Sequence, residues 1–176
     1  SFPDGIDLES GDRLDAFELM VESYGELNES KTNAVLVCHA FSGNHFAAGK
    51  NDDGETGWWD QIIGPDKASD TNKFFVICCN NLGGCSGSTG PKSINPKTKQ
   101  AYGSSFPQVS VSDWVNSQKI LMEKLDIPSW EMVLGGSLGG MQALQWSIAY
   151  PEKIKKAGIF AAAAKSSTQN IAMNEV

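Results

Sequence analysis

The sequence predicts an α/β domain built on a mostly parallel sheet with helices packed against it. Three observations carry that expectation. Two unbroken apolar runs, Ala34–Ala40 and Phe74–Cys79, have the character of strands covered on both faces. A stretch with helical spacing follows them, with Trp114, Val115, Leu121, Met122 and Leu125 on the repeat. Then comes Met132–Met141, a short apolar strand running through Gly135-Gly136-Ser137-Leu138-Gly139 into a second helix. Strands that alternate with helices in this way form βαβ units.

Taken in order, residues 1–12 are polar and glycine-bearing, which suits an extended lead-in. Leu14–Glu22 nearly alternates apolar and polar residues, which predicts the edge strand of an antiparallel pair. Tyr24–Thr32 is a turn-rich connection. The first buried strand ends in the small-residue loop Phe41-Ser42-Gly43-Asn44-His45. Loops at the carboxyl ends of parallel strands are where α/β proteins keep their chemistry. Gly49–Gly57 is acidic and flexible, and Trp58–Pro65 returns to structure, its tryptophans predicted as core or pocket wall. The second buried strand empties into the glycine-rich loop Asn80–Pro91. That loop lacks Gly-Lys-Ser/Thr and does not open a helix, so a phosphate-binding P-loop is rejected. Ser110–Asp113 carries a capping-box pattern, with aspartate where glutamate is usual, ahead of a helix that ends before Pro128. The helix after Ser137 runs to about Tyr150, stopped by Pro151, and another strand is expected at Ala157–Ala161.

Composition bounds the function. The chain has 176 residues, 40% hydrophobic and 20% charged, with a net charge of −7. Those values suit a globular domain, and the acidic balance argues against a nucleic-acid surface. No run approaches the roughly 18 apolar residues that a membrane-spanning helix needs. The four cysteines, Cys38, Cys78, Cys79 and Cys85, contain no Cys-x-x-Cys, and His39 and His45 lack ligand spacing, so neither a zinc site nor a disulfide framework is predicted. Reduced thiols in a cytoplasmic protein are the expectation.

The chemistry points to Ser137. Glycine at 135 and 139 lets a sharp strand-to-helix turn hold the hydroxyl clear at its apex, the arrangement called a nucleophile elbow. The loop after the first buried strand then supplies one oxyanion-hole N–H, assigned to Phe41, and the residue after the nucleophile supplies the other, Leu138. A serine also needs a base. Both histidines precede Ser137, whereas the elbow fold places its Asp or Glu and then its His after the serine. His39 is read as a strand-end residue with local hydrogen bonds. His45 is the alternative base in a convergent order, and otherwise a pocket residue. The start of a helix at 166–176 has no stop signal, so the chain is expected to be an N-terminal fragment, inactive alone.

His39-Ala-Phe-Ser-Gly43, Gly57-Trp-Trp-Asp60, Asn81-Leu-Gly-Gly-Cys-Ser-Gly-Ser-Thr-Gly-Pro91, Phe106-Pro107, Asp113-Trp-Val115, Gly135-Gly-Ser-Leu-Gly-Gly-Met-Gln-Ala-Leu144 and Gln169-Asn-Ile-Ala172 together resemble the homoserine O-acyltransferases of methionine biosynthesis, the MetX family. The resemblance implies an α/β-hydrolase fold, cut here before the lid and the C-terminal part of the core. Residues 1–165 would belong to the core and 166–176 to the start of a helical lid. It also implies transfer of an acetyl or succinyl group from acetyl-CoA or succinyl-CoA to L-homoserine through an acyl-Ser137 intermediate. No cofactor or metal is expected beyond the acyl-CoA co-substrate, and the full-length protein would be a cytoplasmic homodimer. Ser42, Gly43 and His45 are candidate substrate contacts. The family's triad Asp and His and its homoserine-binding arginine would lie beyond Val176. Phe41 departs from the family's usual leucine. The rival expectations are a serine esterase of the same fold and a non-catalytic binding module.

Overall fold

The computed structural model describes residues 1–165 and 167–174. Its strands are β1 (Ile6–Asp7), β2 (Arg13–Leu14), β3 (Val21–Tyr24), β4 (Ala34–Cys38), β5 (Ile63–Gly64), β6 (Ser69–Asp70), β7 (Phe75–Cys79), β8 (Met132–Gly136) and β9 (Ala157–Phe160). The helices are α1 (Val111–Lys124), α2 (Leu138–Ala149) and α3 (Thr168–Asn174). Five strands form the main sheet in the order β3-β7-β4-β8-β9. β3 runs antiparallel to β7, and the remaining pairs are parallel.

β4 lies at the centre, with Leu36 in register with Ile77 on one side and Val133 on the other. Successive side chains of a strand point to opposite faces, and β4 feeds two cores accordingly. Leu36 and Cys38 join Val115, Leu121 and Met122 of α1 and Ala143 and Trp146 of α2. Val35 and Val37 join Ala47, Ala48 and Ile63, with Trp58, Trp59 and Phe74 packed against them. Both helices that the sequence predicts therefore lie on one face. The irregular segment carrying the paired tryptophans covers the other, and no helix forms there among the described residues.

Helix α1 starts as its sequence demands. The Ser110 hydroxyl accepts from the Asp113 amide, and the Asp113 carboxylate accepts from the Ser110 amide. A cap of this kind contributes about 0.5–2 kcal/mol. The second Asp113 oxygen accepts from the Glu9 amide at 2.9 Å, tying the N-terminal hairpin to the helix.

Two expectations at the N-terminus need correction. Residues 1–12 are not a plain lead-in, because β1 pairs with β2 as a hairpin. The edge strand does not span Leu14–Glu22; it forms only at Val21–Tyr24. Phe17 is drawn instead into a stacked pair with Phe2, ring centroids 4.6 Å apart. The Thr89 and Ser88 hydroxyls then accept from the Glu18 and Met20 amides, where a ladder carbonyl would otherwise stand. Alternation in the sequence could not reveal that side chains of a distant loop would take over the backbone.

Asp70 fastens the tryptophan-bearing face. Its carboxylate accepts from the Asp66 and Asn72 amides and pairs with Lys73 at 2.8 Å. The Lys73 bond and then those amides pull its pKa down to about 2. A folded value below the unfolded one of about 3.9 means stability that is present above that pH and lost as pH falls through about 2. Asp70→Asn should therefore lower Tm at pH 6, and the gap from wild type should close as pH falls from 4 toward 2. A gap independent of pH, followed by thermal melts, would remove the carboxylate from that role.

Candidate active site

β8 and α2 meet at Ser137, whose backbone lies at φ 55° and ψ −121°. A non-glycine residue there is strained, and such strain is held only where the surroundings over-determine it. The surroundings here are backbone. A Cβ on Gly135 would stand 2.0 Å from the Gly139 carbonyl oxygen, and one on Gly139 would stand 2.0 Å from the Cys38 carbonyl oxygen. The turn therefore sits directly on the strand and on the end of β4. The Ser137 amide donates to the Phe160 carbonyl at 2.9 Å, and the Ser137 carbonyl accepts from Met141 at 3.1 Å.

The serine is exposed and lines a concavity of about 480 Å³ with Met141, Ala161, Ala162, Ala163, Lys165, Ser167 and Asn170. Ala161, just past β9, is also in the left-handed region at φ 47°. The candidate lid at 166–176 is described only in part: Thr168–Asn174 are helical, and Ser166, Glu175 and Val176 lie outside the described residues.

Cys38 is in register with Gly135, so the loop bearing Phe41 and the turn bearing Ser137 leave the same end of adjacent strands. Leu138 opens α2, where helix N–H groups lack intrahelical acceptors and the helix dipole is positive. Among the described residues, no protein group accepts from the Leu138 or Phe41 amide. The Phe41 side chain is 90% exposed. Ser42 is exposed and Gly43 half-buried, and neither they nor His45 line the concavity at Ser137.

The two histidines differ. The Asn81 amide donates to His39 Nε2 at 3.1 Å, so the neutral ring carries its proton on Nδ1, which donates to the Ala40 carbonyl at 2.8 Å. Burial lowers the His39 pKa, opposed by the Ala40 bond. His39 is thus a strand-end residue whose Nδ1 bond is local, as the sequence predicts, while its Nε2 is taken by Asn81 from the distant glycine-rich loop. His45 also has its pKa lowered by burial, with Glu22 of β3 opposing, and its Nδ1 is buried without a partner among the described residues.

Cys38, Cys78 and Cys79 are buried free thiols, with burial raising all three pKa values, and Cys85 is exposed. Among the described residues, no three His, Cys, Asp or Glu side chains group as metal ligands, and no helix is long and apolar enough to cross a membrane.

The family model described as alpha/beta hydrolase fold matches residues 33–173, which include both buried strands and the whole elbow. The chain belongs to the alpha/beta hydrolase fold family. Within it, this alpha/beta hydrolase chain is 60% identical over 173 residues to a homoserine O-succinyltransferase of Hahella chejuensis, covering 97% of the chain and 45% of the relative. It is 55% identical over 177 residues to the Pseudomonas aeruginosa PAO1 protein of that name, covering 99% and 47%. Among solved structures, it resembles esterase E22 at TM-score 0.89 and 39% identity, covering 99% of the chain and 49% of the esterase. It also resembles homoserine O-acetyltransferase from Bacillus anthracis at TM-score 0.82 and 40% identity, covering 88% and 43%. The chain thus spans a little under half the length of the curated relatives it matches.

One part of the surroundings of Ser137 is not foreseen by the sequence. Gln118 and Gln142, 1% and 0% exposed, form a hydrogen bond of 2.6 Å between α1 and α2. The Trp146 indole donates to Gln118 at 2.8 Å, and Gln142 donates to the His39 carbonyl at 3.4 Å. The signal that could have found it is weak, because α2 also carries Gln145 and Ser147, and nothing local separates the buried glutamine from the others.

Proposed function

We propose that the protein to which this chain belongs is a homoserine O-acyltransferase. Ser137 Oγ attacks the thioester carbonyl of acyl-CoA, the hydroxyl proton passes to a base, and the CoA thiol departs. The γ-hydroxyl of L-homoserine then attacks the acyl-serine ester and releases free Ser137 and O-acyl-homoserine. The Phe41 and Leu138 N–H groups face the oxyanion in each tetrahedral intermediate, each contributing roughly 3–4 kcal/mol in comparable sites. His39 has no free ring nitrogen, and His45 does not line the concavity at Ser137. The base is therefore assigned to a part of the full-length protein outside these 176 residues, as is the group that binds the homoserine carboxylate.

The observation that carries this reading is an exposed serine held at φ 55° where a buried strand turns into a helix. The acceptor is drawn from relatives named homoserine O-succinyltransferase at 55–60% identity, and succinyl-CoA is for the same reason the favoured donor over acetyl-CoA. A cytoplasmic homodimer without further cofactor completes the proposal.

Structural similarity to esterase E22 supports a second reading, acyl transfer to water. Incubating the full-length protein with succinyl-CoA or acetyl-CoA separates the two. Thiol release that requires homoserine and yields the O-acyl amino acid is expected. Release at the same rate without homoserine would give the site to hydrolysis.

A further inference from the structure

The peptide between residues 40 and 41 carries two relevant groups in one plane, the Ala40 carbonyl and the Phe41 N–H. A trans peptide points them in opposite directions, and the chain has no cis peptide bond among the described residues. Whatever holds that carbonyl therefore aims that N–H. Two donors hold it, His39 Nδ1 at 2.8 Å and the Gly43 amide at 2.9 Å.

His39 is itself held at two points. Its Nε2 takes the Asn81 amide, which keeps the Nδ1 proton in place. Its carbonyl takes Gln142 at 3.4 Å, and Gln142 is joined to Gln118 at 2.6 Å. Gln118 in turn accepts from Trp146 at 2.8 Å and from the Cys38 thiol. Donors and acceptors match at every step. The chain of bonds runs from both helices to the end of β4 with His39, Gln118, Gln142 and Trp146 all at least nine-tenths buried.

Burying two primary amides is costly unless their groups are bonded. An apolar pair would fill the same space between α1 and α2. What the amides add is direction.

We infer that His39, braced by Gln142 and Gln118, is a positioning residue that sets the direction of the Phe41 N–H relative to Ser137. This rests on Phe41 being an oxyanion donor, as proposed above. The side chains touch no substrate. They act through one peptide plane, so their removal should slow the acyl-transfer steps and leave substrate binding alone.

The test uses two substitutions of His39 in the full-length protein, assayed with succinyl-CoA and homoserine. His39→Asn keeps a donor near the Nδ1 position and loses the acceptor for Asn81. His39→Gln keeps an acceptor near Nε2 and loses the donor to Ala40. Each orphans one buried group, so both should lower Tm. For His39→Gln, kcat is expected to fall about 10²-fold, with both KM values within about twofold of wild type. His39→Asn should retain kcat within about fivefold. Equal losses in the two variants, or losses that follow Tm, would overturn the inference.

Gln142→Leu gives an independent arm should a His39 variant fail to fold: it should lower kcat about tenfold at constant KM. Wild-type kcat in that variant would count against the brace. Phe41→Pro removes the N–H itself and separates the two levels of argument. If Phe41→Pro is harmless, the oxyanion assignment fails and this inference with it. If it is damaging and His39→Gln multiplies the damage in full, only the positioning role fails. The expected result is that His39→Gln adds less than about threefold on that background, because coupled sites are not additive.

Discussion

Ser137→Ala, made in the full-length protein, is expected to lower homoserine acylation by about 10⁴–10⁶-fold while leaving the fold unchanged. The size follows from the role: without the hydroxyl no acyl-enzyme forms, and what remains is the contribution of binding and oxyanion stabilisation. The unchanged fold follows from the structure. The Ser137 side chain is exposed and makes no capping hydrogen bond to α2. Alanine carries the same backbone strain at φ 55° as serine, so stability should change by no more than about 0.5 kcal/mol. Mass spectrometry of the wild-type protein after exposure to succinyl-CoA should find the succinyl group on Ser137, and the variant should carry none. Acylation surviving in the alanine variant above a hundredth of the wild-type rate would move the nucleophile elsewhere.

Gly139→Ala, like Gly135→Ala, should rank among the most destabilising methyl additions near the site. The new Cβ would stand 2.0 Å from the Cys38 carbonyl oxygen and 3.0 Å from that of His39. Neither obstacle is a side chain that can rotate away. Cys38 is hydrogen-bonded in the central ladder, and His39 is held at ring and carbonyl. Either α2 moves off the sheet or β4 loses register, and both routes expose Trp146 and Ala143, which are fully buried. A loss above about 4 kcal/mol places such a change among the exceptional ones. Chemical denaturation of the full-length protein should show it, with activity falling in parallel. Alanine at Gly11, where nothing lies within 4 Å of the added Cβ, probes φ 88° alone and should cost much less. Equal costs at the two positions would refute the steric account.

The contrast between Gly139 and Gln142, three residues apart on one helix, shows how legibility varies along this chain. The glycine pattern around Ser137 can be read because each glycine answers a local need of a tight turn. The apolar runs of β4, β7 and β8 are legible because a strand buried on both faces has nowhere to place a polar residue. The capping box at Ser110 and Asp113 is legible because its partners are three residues apart. Other features depend on partners far away in sequence. Glu18 and Met20 bond to Thr89 and Ser88, 71 and 68 positions on, and no local rule foresees that. Gln118 and Gln142 are separated by 24 residues, and each alone reads as a surface side chain on a helix. The concavity at Ser137 is lined in part by the three alanines after β9, whose small side chains give no periodic signal. His39 is legible only in its Nδ1 bond to the adjacent carbonyl; its Nε2 partner, Asn81, lies 42 positions on.

The amide of Ser137 is secured by Phe160, at the end of a strand that has a ladder neighbour on one side only among the described residues. Proteins open in pieces, and outer strands part before central ones. The reactive turn is therefore no more durable than the docking of β9: a fluctuation that frees this margin would relax the serine while the β7-β4-β8 ladder stayed whole. Whatever shields the outer side of β9 would then govern how much of the time the hydroxyl is correctly presented.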